Sequence, residues 1–273
     1  MKKVLVVADW AADPLYTQQF RSALGGYMSA ANFPDLAFIP AHPSTIHTGY
    51  LAAQAVETEE RLGSPLETVL FVHTDPRLPV SERDDVPRPA ELLILLLVSG
   101  LYVVGTNAGN AFSLLKHKVH RAFTYPGINE QPASRGRDVY SRIVAHLAEN
   151  LETKMELEEI HTHLIPLLDR AVVGHVDVFG NIHTSIHRED LREKHAYNEI
   201  VTVRLHGAVR KARFVEHLFA GTSGELVVYP GPCGPQENPY LSISAWEREP
   251  EELGKTGAEC FGYPKPGETV SIE

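Results

Sequence analysis

The chain has 273 residues, 43% of them hydrophobic and 22% charged, which is enough to bury a sizeable core in one large domain or two smaller ones. Asp and Glu number 35 against 25 Lys and Arg, and the formal net charge of -10 argues against a nucleic-acid backbone as the main partner. Cys233 and Cys260 are far apart in sequence, which excludes a disulfide framework and a cysteine-based metal cluster. We therefore expect an enzyme-sized cytoplasmic protein with no bound metal and no cofactor.

Two apolar stretches resemble membrane or targeting segments at first sight. Residues 4–8 follow two lysines, but the run is too short for a signal peptide and stops at Asp9. Residues 92–104 are interrupted by Ser99 and Gly100 and are far too short to cross a bilayer. We therefore expect no membrane association, and we predict that residues 92–104 form two buried strands joined by a tight turn.

The first half of the chain alternates predicted strands and helices. Residues 4–8 form a continuous apolar run of the kind found in a sheet covered on both faces, and the run ends at Asp9 and Trp10. Asp13-Pro14 and Ser44-Thr45 are start signals for two helices, the first with an apolar stripe of Leu15, Phe20, Leu24 and Met28. Residues 68–74 form a further strand, which brings His73, Thr74 and Asp75 to its carboxyl end, where open α/β sheets place ligand contacts.

Three loops are rich in residues suited to ligand binding. The proline-rich and charged residues 77–89 show no periodicity, which predicts a surface loop of the kind that often forms a lid. Residues 105–110, which include Asn107, are small and polar, but their glycine spacing matches no phosphate-binding fingerprint. Residues 134–138 (Ser-Arg-Gly-Arg-Asp) open an amphipathic segment and suit a helix N-terminus that binds an anion, or one that is merely capped.

The composition changes after a charged stretch at residues 149–159. From residue 170 onward, short β-branched runs recur between turn residues, as in a small all-β barrel or sandwich, and Phe179-Gly180-Asn181 predicts a hairpin. We therefore predict two domains. Residues 1–155 form an α/β domain with a mainly parallel sheet and flanking helices, and residues 168–273 form an all-β, barrel-like domain.

Several motifs, taken in order, resemble one known family. Asp9-Trp10 with Asp13-Pro14 is similar to a Thr-Asp-Phe-Gly strand end followed by Asp-Pro-Tyr, and residues 105–109 are similar to Gly-Pro-Asp-Asn-Gly. Residues 73–76 are similar to Val-Asp-Pro-Gly, and residues 134–138 with 144–147 to Phe-His-Gly-Arg-Asp with Ala-Ala-His-Leu. Residues 177–181 (Asp-Val-Phe-Gly-Asn) match Asp-Arg-Phe-Gly-Asn most specifically. The chain resembles the S-adenosylmethionine hydrolases (S-adenosyl-L-methionine hydroxide adenosyltransferases), which are related to the fluorinase and chlorinase enzymes.

This resemblance implies a fold, an assembly and a ligand. It implies a seven-stranded α/β domain, a β-barrel domain, and a homotrimer that binds S-adenosylmethionine between subunits as substrate or ligand. By matching position, Asp9 would hold the ribose hydroxyls, Asp177 the methionine ammonium, and Phe179 and Asn181 the adenine. The other substrate-binding residues that the resemblance implies are Trp10, Asp13, Asn107 and Tyr240.

The implied reaction is attack of water or hydroxide at C5′ of the ribose, which releases adenosine and L-methionine. Asp75 matches the family's catalytic aspartate, and Arg83 is the nearest match to its loop arginine, with Arg77 as the other choice. Arg135 occupies the position of the family histidine, and an arginine cannot act as a general base. The alternatives are hydrolysis with an altered water site, a different nucleophile such as halide, or a non-catalytic protein that binds S-adenosylmethionine or adenosine.

Other histidines offer weaker candidates. His73 lies two residues before Asp75, so on a strand the two face the same side and His73 could supply the missing imidazole; alternatively it is a half-buried strand residue with its nitrogens satisfied. His161 with His163, and His183 with His187, lack a carboxylate at helical spacing, so we interpret them as surface or packing residues. Residues 231–235 form either the rim of the methionine pocket or a plain loop.

Overall fold

The computed structural model describes residues 2–74, 92–125, 136–245 and 255–273. It divides into two compact units, Met1–Leu167 (unit 1) and Leu168–Glu273 (unit 2). The predicted catalytic residues Asp75, Arg83 and Arg135 lie outside the described residues, as does Arg77.

The described part of unit 1 contains a seven-stranded sheet with flanking helices. Its elements in chain order are β1 (Lys3–Ala8), α1 (Pro14–Tyr27), β2 (Asp35–Pro40), α2 (Thr45–Leu62), β3 (Thr68–His73), β4 (Leu92–Leu97), β5 (Tyr102–Thr106), β6 (Val119–Thr124), α3 (Ser141–Ala148) and β7 (Glu158–Ile160). The strand order is β2-β1-β3-β5-β4-β6-β7, in which β2, β1, β3 and β5 pair in parallel and the remaining pairs are antiparallel. A π-helical turn, Gly136–Tyr140, leads into α3.

Both helix start signals of the first half are confirmed. The Asp13 carboxylate caps α1 by accepting from the backbone N–H groups of Leu15 and Tyr16, and the Ser44 hydroxyl caps α2 by accepting from that of His47. The predicted stripe of α1 is wrong at Leu15, which is 62% exposed, while Phe20 and Leu24 are buried. At 100° per residue, Leu15 lies on the opposite face of the helix from Leu24, so it cannot share the buried face.

The sheet of unit 1 is buried on both faces, as the apolar runs predict. Alternate residues of β1 point into different cores: Val4 and Val6 pack in one core with α1 and α3, and Leu5 and Val7 in the other with α2. Residues 156–167, which lie between the two predicted domains, belong to this unit, because β7 pairs with β6 and Ile165 is buried. None of the helices in the described ranges is long and apolar enough to cross a membrane.

The described part of unit 2 forms a second seven-stranded sheet. Its elements in chain order are β8 (Val173–Val176), β9 (Ile182–His187), α4 (Arg188–Arg192), β10 (Ile200–Leu205), β11 (Ala208–Phe214), β12 (Leu226–Pro230), β13 (Tyr240–Ala245), α5 (Gly257–Cys260) and β14 (Val270–Ile272). The strand order is β14-β10-β11-β12-β13-β9-β8, and the two end strands meet at a bridge between Val172 and Thr269. This contact favours the predicted barrel-like layout, which stays a prediction.

The hairpin predicted at Phe179-Gly180-Asn181 is confirmed. It joins the antiparallel strands β8 and β9, and Gly180 adopts a φ of 77°. A side chain is disfavoured there both by this backbone conformation and by space, because a Cβ atom on Gly180 would lie 2.6 Å from the Thr256 side chain.

Candidate functional site

The carboxyl ends of β1, β3 and β5 bring three polar residues into one row. Ala8 pairs with His73 and Val72 pairs with Gly105, so the next positions on the three neighbouring parallel strands are Asp9, Thr74 and Asn107. Adjacent strands are about 4.8 Å apart, which places these residues side by side. The Asp9 backbone N–H donates to the His73 carbonyl at 3.3 Å, so the pairing continues past the end of β1. We call Asp9, Thr74 and Asn107 the edge row.

Two members of the edge row hold buried oxygens that have no hydrogen-bond partner among the described residues. These atoms are Thr74 Oγ1 and Asn107 Oδ1. The Asn107 amide nitrogen donates to the Leu164 carbonyl at 2.9 Å, which orients the amide and leaves its oxygen unused. An unsatisfied buried polar group costs about 1–3 kcal/mol, so this edge gains free energy when a ligand or water supplies the missing partners.

Trp10 supports the edge row from within the core. Its indole N–H donates to His73 Nδ1 at 3.1 Å, and its ring packs against Phe20, Phe38 and Phe71 at centroid distances of 5.8, 6.4 and 6.3 Å. Because Nδ1 accepts this bond, the His73 proton is assigned to Nε2. The Asp9 carboxylate, 3.7 Å from the same Nδ1, is therefore a close neighbour rather than an ion-pair partner. The sequence left two interpretations of His73, a catalytic imidazole or a half-buried residue with both ring nitrogens satisfied. The structure satisfies Nδ1, while Nε2 has no hydrogen-bond partner among the described residues.

A second polar group surrounds the hairpin of unit 2, and Asp177 is its centre. Asp177 Oδ1 accepts from the backbone N–H groups of Phe179 and Asn181, both at 2.9 Å. Its Oδ2 accepts from the Asn181 amide at 2.8 Å and from His183 Nε2 at 3.3 Å. The Ser244 hydroxyl in turn donates to Asn181 Oδ1. The protein itself therefore supplies four donors to the two Asp177 oxygens, about as many as a carboxylate can accept.

The network continues from His183 into the sheet. His183 Nδ1 lies 2.8 Å from the Ser242 hydroxyl, and Tyr229 hydrogen-bonds Ser242. Because His183 Nε2 donates to Asp177, its Nδ1 accepts from Ser242. We call Asp177, Asn181, His183, Ser242, Ser244 and Tyr229 the hairpin network.

Burial and hydrogen bonding set the charges of the hairpin network. Burial raises the pKa of Asp177, but the hydrogen bonds from Asn181, the nearby His183 and the Phe179 backbone outweigh it and hold the pKa below its ordinary value. Burial lowers the pKa of His183 in spite of Asp177, and burial raises the pKa of Tyr229 to about 12. The network therefore holds one anion among neutral partners.

The loop at residues 231–235 packs against this network. The sequence left open whether this loop is the rim of a pocket or a plain loop. A Cβ atom on Gly231 would lie 2.0 Å from the Ser242 hydroxyl, so a larger residue would displace that side chain. The loop is tied to β13 by hydrogen bonds from the Gly231 N–H to the Tyr240 carbonyl and from the Tyr240 N–H to the Cys233 carbonyl, both 2.8 Å. The loop therefore has a packing role within unit 2, whether or not it also lines a pocket.

The remaining predicted binding residues differ in exposure. Val178 and Phe179 at the hairpin tip are 95% and 75% exposed, so the Phe179 ring presents its faces for stacking. Tyr240 is 5% exposed and packs on His187 at a centroid distance of 4.6 Å. Asp13 is exposed, and its carboxylate already serves as the cap of α1. Phe179 is thus the most accessible of these side chains, and Tyr240 and Asp13 have structural partners of their own.

Several members of these groups are not among the predicted site residues. The sequence places Thr74 at a strand end without a role in the site, and it indicates that His183 is a surface or packing residue. His183 follows Asn181 by two positions, and residues two apart on a strand share a face, so this signal was present. Ser242 and Tyr229 carried no such signal, because they come from strands distant in sequence.

Comparison with known proteins relates the chain to solved structures alone. No family model matches the chain, and no curated protein matches it. An uncharacterized conserved protein from Thermotoga maritima is 18% identical with a TM-score of 0.72, and the match covers 100% of this chain and 99% of that one. A conserved hypothetical protein from Thermus thermophilus is 20% identical with a TM-score of 0.65 over 100% of both chains. At these identities the likeness shows a shared fold.

Proposed function

We propose that the protein binds S-adenosylmethionine and hydrolyses it to adenosine and L-methionine by attack of water or hydroxide at C5′. The observation that carries the proposal is the edge row: the strand register places Asp9, whose carboxylate is half-buried, next to two residues whose buried oxygens have no protein partner among the described residues. A nucleoside offers hydroxyl and amino donors, which match acceptors of this kind. Asp9 would accept from the vicinal ribose hydroxyls, and Asn107 would accept from another donor of the ligand.

The chemistry asks little of the protein beyond positioning. Methionine leaves the sulfonium as a neutral thioether, so the main requirement is to hold a partly desolvated water in line with the C5′–S bond. We assign this role to Asp75, Arg83 and Arg135. Because Asp75 directly follows Thr74 in the sequence, the proposed water site would lie next to the edge row. The adenine would stack on the exposed ring of Phe179 and pair with Asn181.

The assembly that we propose is a homotrimer with the site between subunits. The exposed Val178 and Phe179 support it, because apolar side chains at a hairpin tip are suited to contact with a ligand or another chain. Asp177 would attract the methionine ammonium by charge, since its lone pairs are already used by the hairpin network. We also propose a cytoplasmic location, which Cys233 and Cys260 support because neither forms a disulfide.

A second candidate function is binding without turnover. It is favoured by Arg135, which replaces the family histidine and would place a permanent positive charge near a sulfonium. In this case the protein would act as a sensor or carrier of S-adenosylmethionine or adenosine.

One experiment separates the two candidates. Purified protein is incubated with S-adenosylmethionine, with and without chloride or fluoride, and the products are separated by chromatography. Hydrolysis predicts adenosine and methionine, and a halide nucleophile predicts 5′-halo-adenosine. Binding in a calorimeter without product would disprove the enzyme hypothesis and support the second candidate. Absence of both product and binding would remove S-adenosylmethionine as the ligand.

A further inference from the structure

A small cavity in unit 1 is lined by basic and phenolic side chains. Its volume is ≈ 220 Å³, and its lining residues are Tyr125, Arg142, Ile143, His146, Lys154 and Met155. We call it the basic cavity. Ligand pockets for drug-sized molecules occupy about 300–1,000 Å³, so this cavity suits a ligand smaller than a nucleoside.

The cavity is built on α3 and the segments beside it. Arg142 and His146 are four residues apart on α3, so they lie on the same face of the helix. Tyr125 directly follows β6, and Lys154 ends a short 3-10 helix, Glu152–Lys154. Ile143 and Met155 also line the cavity and are 1% and 6% exposed. The polar side chains therefore lie next to buried apolar groups, and low polarity of this kind strengthens the interaction of polar groups with a charged ligand.

Arg142 is held in place without a carboxylate. Its guanidinium donates to the Tyr125 hydroxyl at 3.3 Å and lies over the Tyr125 ring at 5.7 Å from the centroid. None of the described lining residues is acidic, and within the described ranges neither Arg142 nor Lys154 forms an ion pair. In a chain with a formal net charge of -10, two cations around a cavity whose described lining holds no carboxylate form a site complementary to an anion.

His146 narrows the chemistry of that anion. His146 Nδ1 lies 2.7 Å from the Arg142 carbonyl, so this nitrogen carries a proton, and in the neutral form of the ring Nε2 is an acceptor. An anion that also bears an O–H group can donate to Nε2 while its charged oxygens accept from Arg142, Lys154 and Tyr125. A hydrogen phosphate group has both features, and a guanidinium matches its oxygens in a bidentate geometry.

We propose that the basic cavity binds the phosphate group of a small anion, either inorganic phosphate or a small phosphomonoester. The site is separate from the edge row and does not depend on nucleoside binding. Its residues come from α3 and its neighbours, and all of them lie within the described ranges.

Titration calorimetry of the full chain at constant ionic strength tests the proposal, with inorganic phosphate and methyl phosphate as the two probes. We expect at least one of them to bind with a Kd below about 1 mM. Tighter binding of phosphate would identify the free ion as the ligand, and tighter binding of methyl phosphate a phosphomonoester. Failure of both probes to bind at concentrations up to about 10 mM would overturn the proposal.

Three variants locate the binding. Lys154→Gln removes one exposed cation without breaking a described contact and should weaken binding about tenfold. Arg142→Gln should weaken it more, and a melting curve shows whether the fold survives the loss of the Tyr125 contact. The matched control is Lys194→Gln, which removes the same charge from an exposed position in unit 2. Equal affinities in Lys154→Gln and the control would overturn the assignment, even if Arg142→Gln does not fold.

Discussion

The edge row of unit 1 and the hairpin network of unit 2 treat buried polar groups in opposite ways. In the edge row, Thr74 and Asn107 each keep a buried oxygen without a partner among the described residues. In the hairpin network, Asp177 accepts four hydrogen bonds and Asn181, His183 and Ser242 are bonded in turn. The first arrangement costs stability until something binds, whereas the second stabilises its hairpin without a ligand.

This difference indicates that the two regions contribute to ligand binding in different ways. Because its polar groups are hydrogen-bonded to one another, the network keeps the hairpin backbone fixed while Phe179 stays exposed to solvent. The hairpin backbone therefore loses little conformational entropy when a ligand binds. Unsatisfied acceptors at a strand end give a ligand hydrogen bonds that the free protein cannot make. We therefore expect mutations in the edge row to change ligand affinity with little loss of stability, and mutations in the hairpin network to lower stability in addition to any effect on ligand binding.

The largest effect is expected for Asp9→Ala. If the edge row binds a nucleoside, losing the acceptor for the ribose hydroxyls should weaken S-adenosylmethionine or adenosine binding at least about 100-fold, or about 2.7 kcal/mol. Calorimetry measures the affinity, and the control is Asp35→Ala, an exposed carboxylate at the start of β2. Unchanged affinity in Asp9→Ala would remove Asp9 from the site.

Asp177→Ala tests the other side of the comparison. It leaves the Asn181 amide, His183 Nε2 and two backbone N–H groups without their acceptor, so the free energy of unfolding should fall by about 2 kcal/mol. Urea denaturation measures this value, and Asp169→Ala is the matched control, since Asp169 is exposed in the same unit. A loss no larger than that of the control would mean that the network adds little to stability.

A pair of threonine substitutions compares the two regions directly. Thr74 and Thr184 are both buried, but Thr74 Oγ1 has no partner among the described residues while Thr184 donates to the Leu241 carbonyl at 2.8 Å. Thr184→Val should destabilise the protein by about 1 kcal/mol, and Thr74→Val should leave stability unchanged or raise it by up to about 1 kcal/mol. Thermal melts give the comparison, and equal losses in both variants would contradict it. Thr74→Val should also weaken ligand binding if Thr74 contacts the ligand.

The smallest effect is a pH dependence that belongs to the hairpin network. The folded-state pKa of Asp177 is lowered, so its contribution to stability is present above its ordinary pKa and is lost as pH falls through the folded value. The pKa of His183 is also lowered from 6.5, so the unfolded chain takes up a proton first as pH falls below that value. Both groups make the protein less stable on acidification.

Melting temperatures between pH 7.5 and 5 measure this effect, against a His183→Gln variant that lacks the titrating ring. The wild-type protein should lose stability below about pH 6.5 more steeply than the variant. Parallel profiles would show that His183 does not contribute to the dependence.

Much of the local structure could be predicted from the sequence. Strands occur where the apolar runs at residues 4–8 and 68–74 predict them, and Asp13 and Ser44 mark helix starts as their chemistry indicates. Each of these features depends on residues within one turn or one strand. Leu15 shows the limit of such pattern-based prediction. As an apolar residue at a helix start it is assigned to the buried face of α1, although a rotation of about 100° per residue around the helix axis places it on the opposite face.

The sequence by itself determined several of the helices and strands, the hairpin and the motifs that suggest a nucleoside site, but not β6 or β7. Only the tertiary structure decided which polar groups meet and which remain unsatisfied. Asp9, Thr74 and Asn107 become neighbours because β1, β3 and β5 pair side by side, and Ser242 reaches His183 because β13 pairs with β9. The basic cavity likewise joins Tyr125 to Lys154 across two elements. Local propensity depends on neighbours along the chain, whereas these contacts depend on strand pairing between distant segments, which short-range patterns do not encode.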